Sequence, residues 1–479
     1  MKITELLSVG ALTLWSITLY AQPKLNTKPL TLEGDIASYL VEGVDKFLLS
    51  ELATSLNKRE NYWNRDFSSH KAYIESVKPN RERLSHILGI RDQRNSFNGL
   101  SFESTTDTPP LVGQSDTIKV YAVSWPAFGD VNGTGLLLEP NRSDHDVVAN
   151  VIAIPDSTQS PEQIAGLQLG LVPELQYARR LAESGCRVVV PLLIDRQEKI
   201  SRLTRREFLY RSAFELGRQL IGYEIQKTLA VVDWYKKKWP EHPVGVIGWG
   251  EGGLITQYAT AVDTRIDAAC VSGYFDSRQN IWQEPIDRNI FGLLEQFGDA
   301  ELASLIAPRA LIIDAARGSK ATIPGGRGAP ARIVTPTLSS VKKELKRAHK
   351  IVSKLKPSAK FHLIEGDQKP LADNALTQFL KSLAYNSSLV QPGESNIDNK
   401  NKKFDPSKRH AKQFHEIDRH TQWLLRESPF VRKKFYQPDT SSIEKFEASN
   451  KKYRDQFYND VIGKFDYDRL PLNVRSRKI

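Results

Sequence analysis

The chain has 479 residues, 40% of them apolar and 26% charged, with a formal net charge of +11. That length accommodates one large domain with additions, or two to three smaller ones, and the composition describes a soluble globular protein rather than a membrane one. Past the N-terminus no stretch approaches 18 uncharged apolar residues, so no transmembrane span is expected in the mature chain.

Residues 1–21 read as a signal peptide. Lys2 gives a weak positive start, Leu6 to Tyr20 is an uncharged apolar run, and Ala21 precedes polar Gln22 at the cleavage position. The expectation is an exported bacterial protein, periplasmic or extracellular, without a lipid anchor because no cysteine stands there. Residues 22–104 are expected to be mostly helical, with Tyr39, Val44, Phe47, Leu48 and Leu52 at helical spacing.

Residues 105–386 form the main predicted domain. Thr105 to Asp116 reads as a linker, and Thr117–Val123 and Gly135–Leu138 as a β-rich lead-in. Strands and helices then alternate. Strands are predicted over Val147–Ile154, Cys186–Ile194, Val244–Gly248, Ala268–Phe275, Arg309–Asp314 and Lys360–Ile364. Helices are predicted over Glu174–Ser184, Arg205–Lys238 (interrupted at Gly217 and Gly222), Gly253–Val262, Ser339–Leu355 and Ala372–Leu383. Continuous apolar strands between helices imply a mostly parallel sheet covered on both faces, a three-layer α/β sandwich. Cys186 and Cys270, the only cysteines, lie in two of these apolar runs and are expected as buried free thiols.

Residues 387–410 read as an Asn-, Lys- and Ser-rich linker, and 411–479 as a basic, aromatic, helical tail. From Gln391 onward there are 20 Lys/Arg against 13 Asp/Glu, so this end holds most of the net charge. With no nucleic-acid motif and an export signal, nucleic acid is not an expected partner. An anionic glycan or cell surface is the better one.

The central motif is Pro243 to Leu254, P-V-G-V-I-G-W-G-E-G-G-L, a strand, a glycine-rich turn and a helix. It has the context of the nucleophile elbow G-x-S-x-G, with Gly248 and Gly252 as the outer glycines and Gly250 where the serine belongs. Gly248, Gly250 and Gly253 also satisfy G-x-G-x-x-G, and Asp276 follows the next strand, so nucleotide binding at this turn is a third reading.

Five segments carry a resemblance: Trp125 to Pro140, Arg187 to Leu193, Asp233 to Gly253, Thr264 to Asp276 and Ala307 to Asp314. Together, across Tyr121 to Leu383, they resemble the dienelactone-hydrolase and acetyl-xylan-esterase-like branch of the α/β-hydrolases. The resemblance implies an α/β-hydrolase-like sandwich and an esterase acting on a small-molecule or polysaccharide ester. It also implies a nucleophile, an acid and a histidine. Gly250 supplies no nucleophile, and the last strand is followed by Glu365 to Pro370 without histidine. Asp314 suits the acid.

The expected substitutes are Glu251 as general base with its backbone N–H as oxyanion donor, and His420, or His415, from the tail. Trp249, Asp156, Asp195 and Asp276 at strand ends, and Arg317 in the basic loop Arg317 to Arg332 with Lys320, Arg327 and Arg332, are expected at the substrate site. No cofactor and no metal is implied. The leading expectation is a hydrolase with a non-standard site; the alternative is an inactive hydrolase-fold protein that binds glycan or a partner.

Overall fold

A computed structural model of the chain describes residues 26–104, 109–196, 199–200, 202–323, 330–365, 368–392, 397–400, 405, 407–465 and 467–477. The expected signal peptide, the start of the 105–116 linker and Arg327 lie outside the described residues. The chain divides into two compact units, one of Met1–Ser50 with Arg432–Ile479 and one of Glu51–Val431.

The larger unit is built on one sheet. Its main strands are β1 (Leu111–Gln114), β2 (Ile118–Phe128), β3 (Val131–Pro140), β4 (Asn150–Ile154), β5 (Arg187–Pro191), β6 (Val244–Trp249), β7 (Ala268–Ser272), β8 (Ala310–Asp314) and β9 (Phe361–Ile364). They lie in the spatial order β9-β8-β7-β6-β4-β5-β3-β2-β1. From β5 to β9 all neighbours are parallel; β3 runs antiparallel to β5, and β1 to β3 form an antiparallel meander.

The helices are α1 (Ile36–Lys58), α2 (His70–Ser76), α3 (Lys78–Ile87), α4 (Tyr177–Glu183), α5 (Arg205–Phe214), α6 (Leu220–Lys238), α7 (Glu251–Val262), α8 (Asp299–Ile306), α9 (Leu338–Ile351), α10 (Asp373–Leu383), α11 (Ser407–Phe435) and α12 (Ile443–Gln456).

Side chains alternate across each strand, so the sheet feeds two cores. Ile152, Ile154 and Val246 pack with Leu84 of α3, Val231 of α6, Leu254 of α7, Leu302 of α8 and Leu345 of α9. Val151, Ala153 and Ile247 pack with Leu181 of α4 and Leu376 and Phe379 of α10. This is the expected three-layer sandwich. Cys186 and Cys270 are free and buried in the second core, and burial pushes the Cys186 thiol up to about 12.

Four differences from the sequence reading have local causes. The helix expected over Arg205–Lys238 is two helices, broken where Gly217 takes φ +65°. Gly222 stays helical and packs against the Leu88 carbonyl, where a Cβ would lie 2.0 Å from the oxygen. The expected linkers contribute to the edge of the sheet: β1 lies in the first, and Asp398–Asn399 in the second pairs antiparallel with β1. Finally, α11 starts at Ser407, because Arg409, Phe414 and Ile417 find buried positions that composition does not reveal. Among the described residues no helix is long and apolar enough to cross a membrane.

The smaller unit contains Ile36 to Ser50 of α1, the end of α11 from Arg432, and α12. A short parallel pairing joins Lys28–Pro29 to Arg475–Ser476. Phe47 packs edge-on against Phe465 and Tyr467.

Candidate functional site

The chain runs from β4 outward to β5, then crosses back to place β6 on the other side of β4 and continues through β7, β8 and β9. The loops leaving β4 and β6 therefore diverge at their carboxyl ends, the usual ligand position in an open α/β sheet. Pro155-Asp156 follows β4 there, and Gly250-Glu251 follows β6.

The turn after β6 is very tight. A Cβ on Gly248 would lie 2.3 Å from the Gly252 carbonyl, and one on Gly252 would lie 2.1 Å from the Ile154 carbonyl oxygen. Between them Gly250 adopts φ +58° and ψ −114°, a conformation in which side-chain-bearing residues are strained. The backbone is thus that of a nucleophile elbow. With the strand order, it decides the fold.

The chain has the α/β-hydrolase fold. No family model matches its sequence, and no curated protein matches it either. Among solved structures it is similar to a Bacteroides fragilis protein described as an acetyl xylan esterase. The TM-score is 0.48 with 16% identity, over 66% of this chain and 80% of that one. It is similar also to a methylesterase, with TM-score 0.43 and 15% identity over 74% and 71% of the two chains. A third is a glucuronoyl esterase from Solibacter usitatus, with TM-score 0.43 and 14% identity over 66% and 93%.

In this α/β-hydrolase fold the space above the elbow is filled from elsewhere. A Cβ on Gly250 would lie 2.3 Å from Asp156 Oδ2 and 2.8 Å from Ser319 Oγ. The Glu251 N–H, the expected oxyanion donor, donates to Asp156 Oδ2 at 2.8 Å. Asp156 Oδ1 accepts from the Thr158 N–H at 3.0 Å and the Thr158 hydroxyl at 2.7 Å. Asp156 is 1% exposed. A carboxylate at the start of a helix is well placed electrostatically, and here it leaves no room for a pyrophosphate on the same N–H groups. The nucleotide reading of the glycine turn therefore meets a like charge at the position it needs.

Glu251 does not face this space. Its carboxylate is fully buried among three arginines: Arg206 at 2.9 Å, Arg196 at 3.1 Å and Arg288 at 2.6 Å. Arg196 and Arg206 also bind Asp287, at 2.6 and 2.7 Å, and Arg206 binds Glu224 at 3.0 Å. Burial alone would raise the Glu251 pKa, but Arg288, Arg206 and Arg196 outweigh it and hold the carboxyl below its ordinary range. A carboxylate so engaged anchors the helix start, with its oxygens bound to arginines rather than open to the space above the elbow.

His420 lies at the hairpin between β2 and β3, three to four strand spacings from β6, roughly 15 Å or more. It is 2% exposed, packs edge-on to Phe128, and sits 3.5 Å from Asp92 and 3.6 Å from Asp130. Burial pushes Asp92 up, yet the adjacent His420 and Arg218 hold its carboxyl down to about 2. The structure thus sets His420 beside Asp92 and Asp130 rather than with Asp314 or Glu251, and the histidine ties α11 to this hairpin.

Asp314 ends β8, two strands from the elbow. It accepts from Ser272 Oγ at 2.7 Å and the Leu371 N–H at 2.8 Å. Beside it is a cleft of about 310 Å³ lined by Glu174, Asp314, Glu365, Lys369, Asp373 and Asn374, with Leu175 and Ile364 as its apolar patches. Asp373 pairs with Arg180 and Glu365 with Lys342.

Of the other expected site residues, Trp249 donates to the Arg317 carbonyl at 2.8 Å, and Arg317 itself is exposed at this rim. Asp195 pairs with Arg205 at 3.4 Å and lies 3.6 Å from His410. Asp276 caps the Ser277 N–H at 2.7 Å and accepts from Ser340. The structure thus gathers Asp156, Gly250 and the Glu251 N–H, sets Trp249 and Arg317 beside Asp314's side of the sheet, and leaves Asp195, Asp276 and His420 apart. Ser319 was not foreseen: it lies in a loop of small residues with no pattern of its own. The arginine cluster is equally silent in sequence, since residues 196 to 288 meet only through the fold. Among the described residues no group of His, Cys, Asp and Glu is arranged to hold a metal ion.

Proposed function

We propose that this chain is a catalytically silent α/β-hydrolase-fold protein that binds a neutral carbohydrate in the cleft beside Asp314. The observation that carries the reading is the Asp156 carboxylate, which occupies the nucleophile's space and takes the oxyanion donor. An acyl group entering there would meet a negative charge where its own oxyanion must develop, the reverse of what ester hydrolysis requires. The cleft supports the binding half. Two of its carboxylates are already neutralised by Arg180 and Lys342, so Asp373, Glu365 and Asn374 offer acceptors and an amide without a strong net charge, which suits sugar hydroxyls. Export of the chain is part of the proposal and rests on the pattern of residues 1–22.

The test is calorimetry with neutral xylo-oligosaccharides. Binding should weaken about tenfold or more in Asn374→Ala, the loss of roughly 1.4 kcal/mol. Affinity unmoved by Asn374→Ala and Lys369→Ala, or no binding at all, overturns the assignment of the cleft. One observation favours a second reading, an esterase: the Ser319 hydroxyl close to the vacant Cβ position. Labelling of Ser319 by a serine-directed fluorophosphonate would support it.

A further inference from the structure

Every described residue of the smaller unit is at least partly exposed; none is buried. On α1, Ala37, Val41, Val44 and Leu48 follow one another at spacings of four, three and four residues, and Leu40 lies within the same face. Leu40, Val41, Val44 and Leu48 are all exposed, Val41 by 69%. An uninterrupted apolar stripe at this spacing is the seam by which one helix packs on another. Soluble proteins seldom leave such a stripe in water unless a partner covers it.

The partner's chemistry can be read from charge. Residues 27–50 carry two lysines against four carboxylates, and Asp45 stands on α1 beside the stripe. An anionic lipid surface would be repelled by that rim. Residues 432–479 are the complement: twelve basic residues against seven acidic, interleaved with exposed Ile443, Phe446, Phe457, Val461 and Ile462. Ile443 and Phe446 of α12 lie one turn apart, Tyr453 and Phe457 continue that face, and Arg454 lies alongside. Within one chain Phe465 and Tyr467 of this arm meet α1 at Phe47, at the edge of the stripe.

The geometry points to a second copy of this chain as the occupant. The basic, aromatic α12 segment of each copy covers the acid-rimmed apolar stripe of the other's α1. Because donor and acceptor surfaces lie on one chain, the exchange is reciprocal and closes as a twofold dimer. It removes two exposed apolar faces at once and pairs Asp45 with Arg454 across the interface.

Sedimentation of the purified chain tests this. The wild type should sediment at twice the chain mass. Val41→Glu with Val44→Glu should bring it to one chain mass, with unchanged helix content by circular dichroism, since both side chains are exposed within a single chain. Asp45→Lys should raise the dissociation constant at least tenfold, and adding Arg454→Glu should restore it. A wild type that sediments at one chain mass at every concentration overturns the proposal. So does a dimer unmoved by the valine substitutions, or a monomer that floats with phosphatidylserine vesicles. None of these outcomes depends on what the Asp314 cleft binds.

Discussion

At the scale of single residues, Gly250 and Asp156 define each other. The backbone at Gly250 keeps the strained conformation of a nucleophile elbow, although no side chain there uses it. Asp156 occupies the space and accepts from the helix-start N–H that a substrate oxygen would otherwise meet. Restoring the serine should consequently be unfavourable. Gly250→Ser would incur about 1–3 kcal/mol of backbone strain, and its Cβ would also collide with Asp156 Oδ2. The expected result is a lower denaturant midpoint for Gly250→Ser that recovers in part when Asp156→Ala is added, because the two changes share one space. Additive losses in the double variant would show that the carboxylate and the missing side chain do not compete.

At the scale of elements, the start of α7 is held by charge. Glu251, Asp287 and Glu224 converge on Arg206, and all four are buried. Arg206→Met would leave three carboxylates short of a partner, at about 3–5 kcal/mol, a large share of the stability of an ordinary domain. Urea unfolding should show that loss, and a midpoint close to wild type would contradict the network's role. The same arrangement fixes a pH dependence. Glu251 has a folded pKa below its unfolded value, so its contribution is complete above about pH 5 and is lost as pH falls. The variant should therefore lose much of its acid sensitivity.

This cluster also marks where sequence reading stops. The parallel strands were legible because their runs are apolar on both faces, and the glycine turn because its spacing is rigid. That Glu251 points into arginines rather than solvent follows from Arg196, Arg206 and Arg288 arriving on three different segments, and no local pattern announces it. Asp156 was legible as a strand-end acid; that it swings onto Glu251 was not. His420 was legible only as a tail histidine, and the hairpin that receives it is formed by residues nearly three hundred positions earlier.

At the scale of the molecule, the chain combines a well-packed α/β-hydrolase body with a smaller unit in which, among the described residues, none is buried. Composition located the charge in the C-terminal residues but gave no hint that they share a unit with residues 27–50, where acids outnumber lysines. The body poses the sharper question, whether an α/β-hydrolase scaffold with its elbow filled by Asp156 still turns over esters. Hydrolysis of p-nitrophenyl acetate by the purified chain, beside Ser319→Ala and Asp156→Ala, answers it most directly. Wild type and Ser319→Ala should both give the buffer rate. Saturable turnover by the wild type that Ser319→Ala abolishes would contradict it, and would make Ser319 the nucleophile of a rebuilt catalytic site.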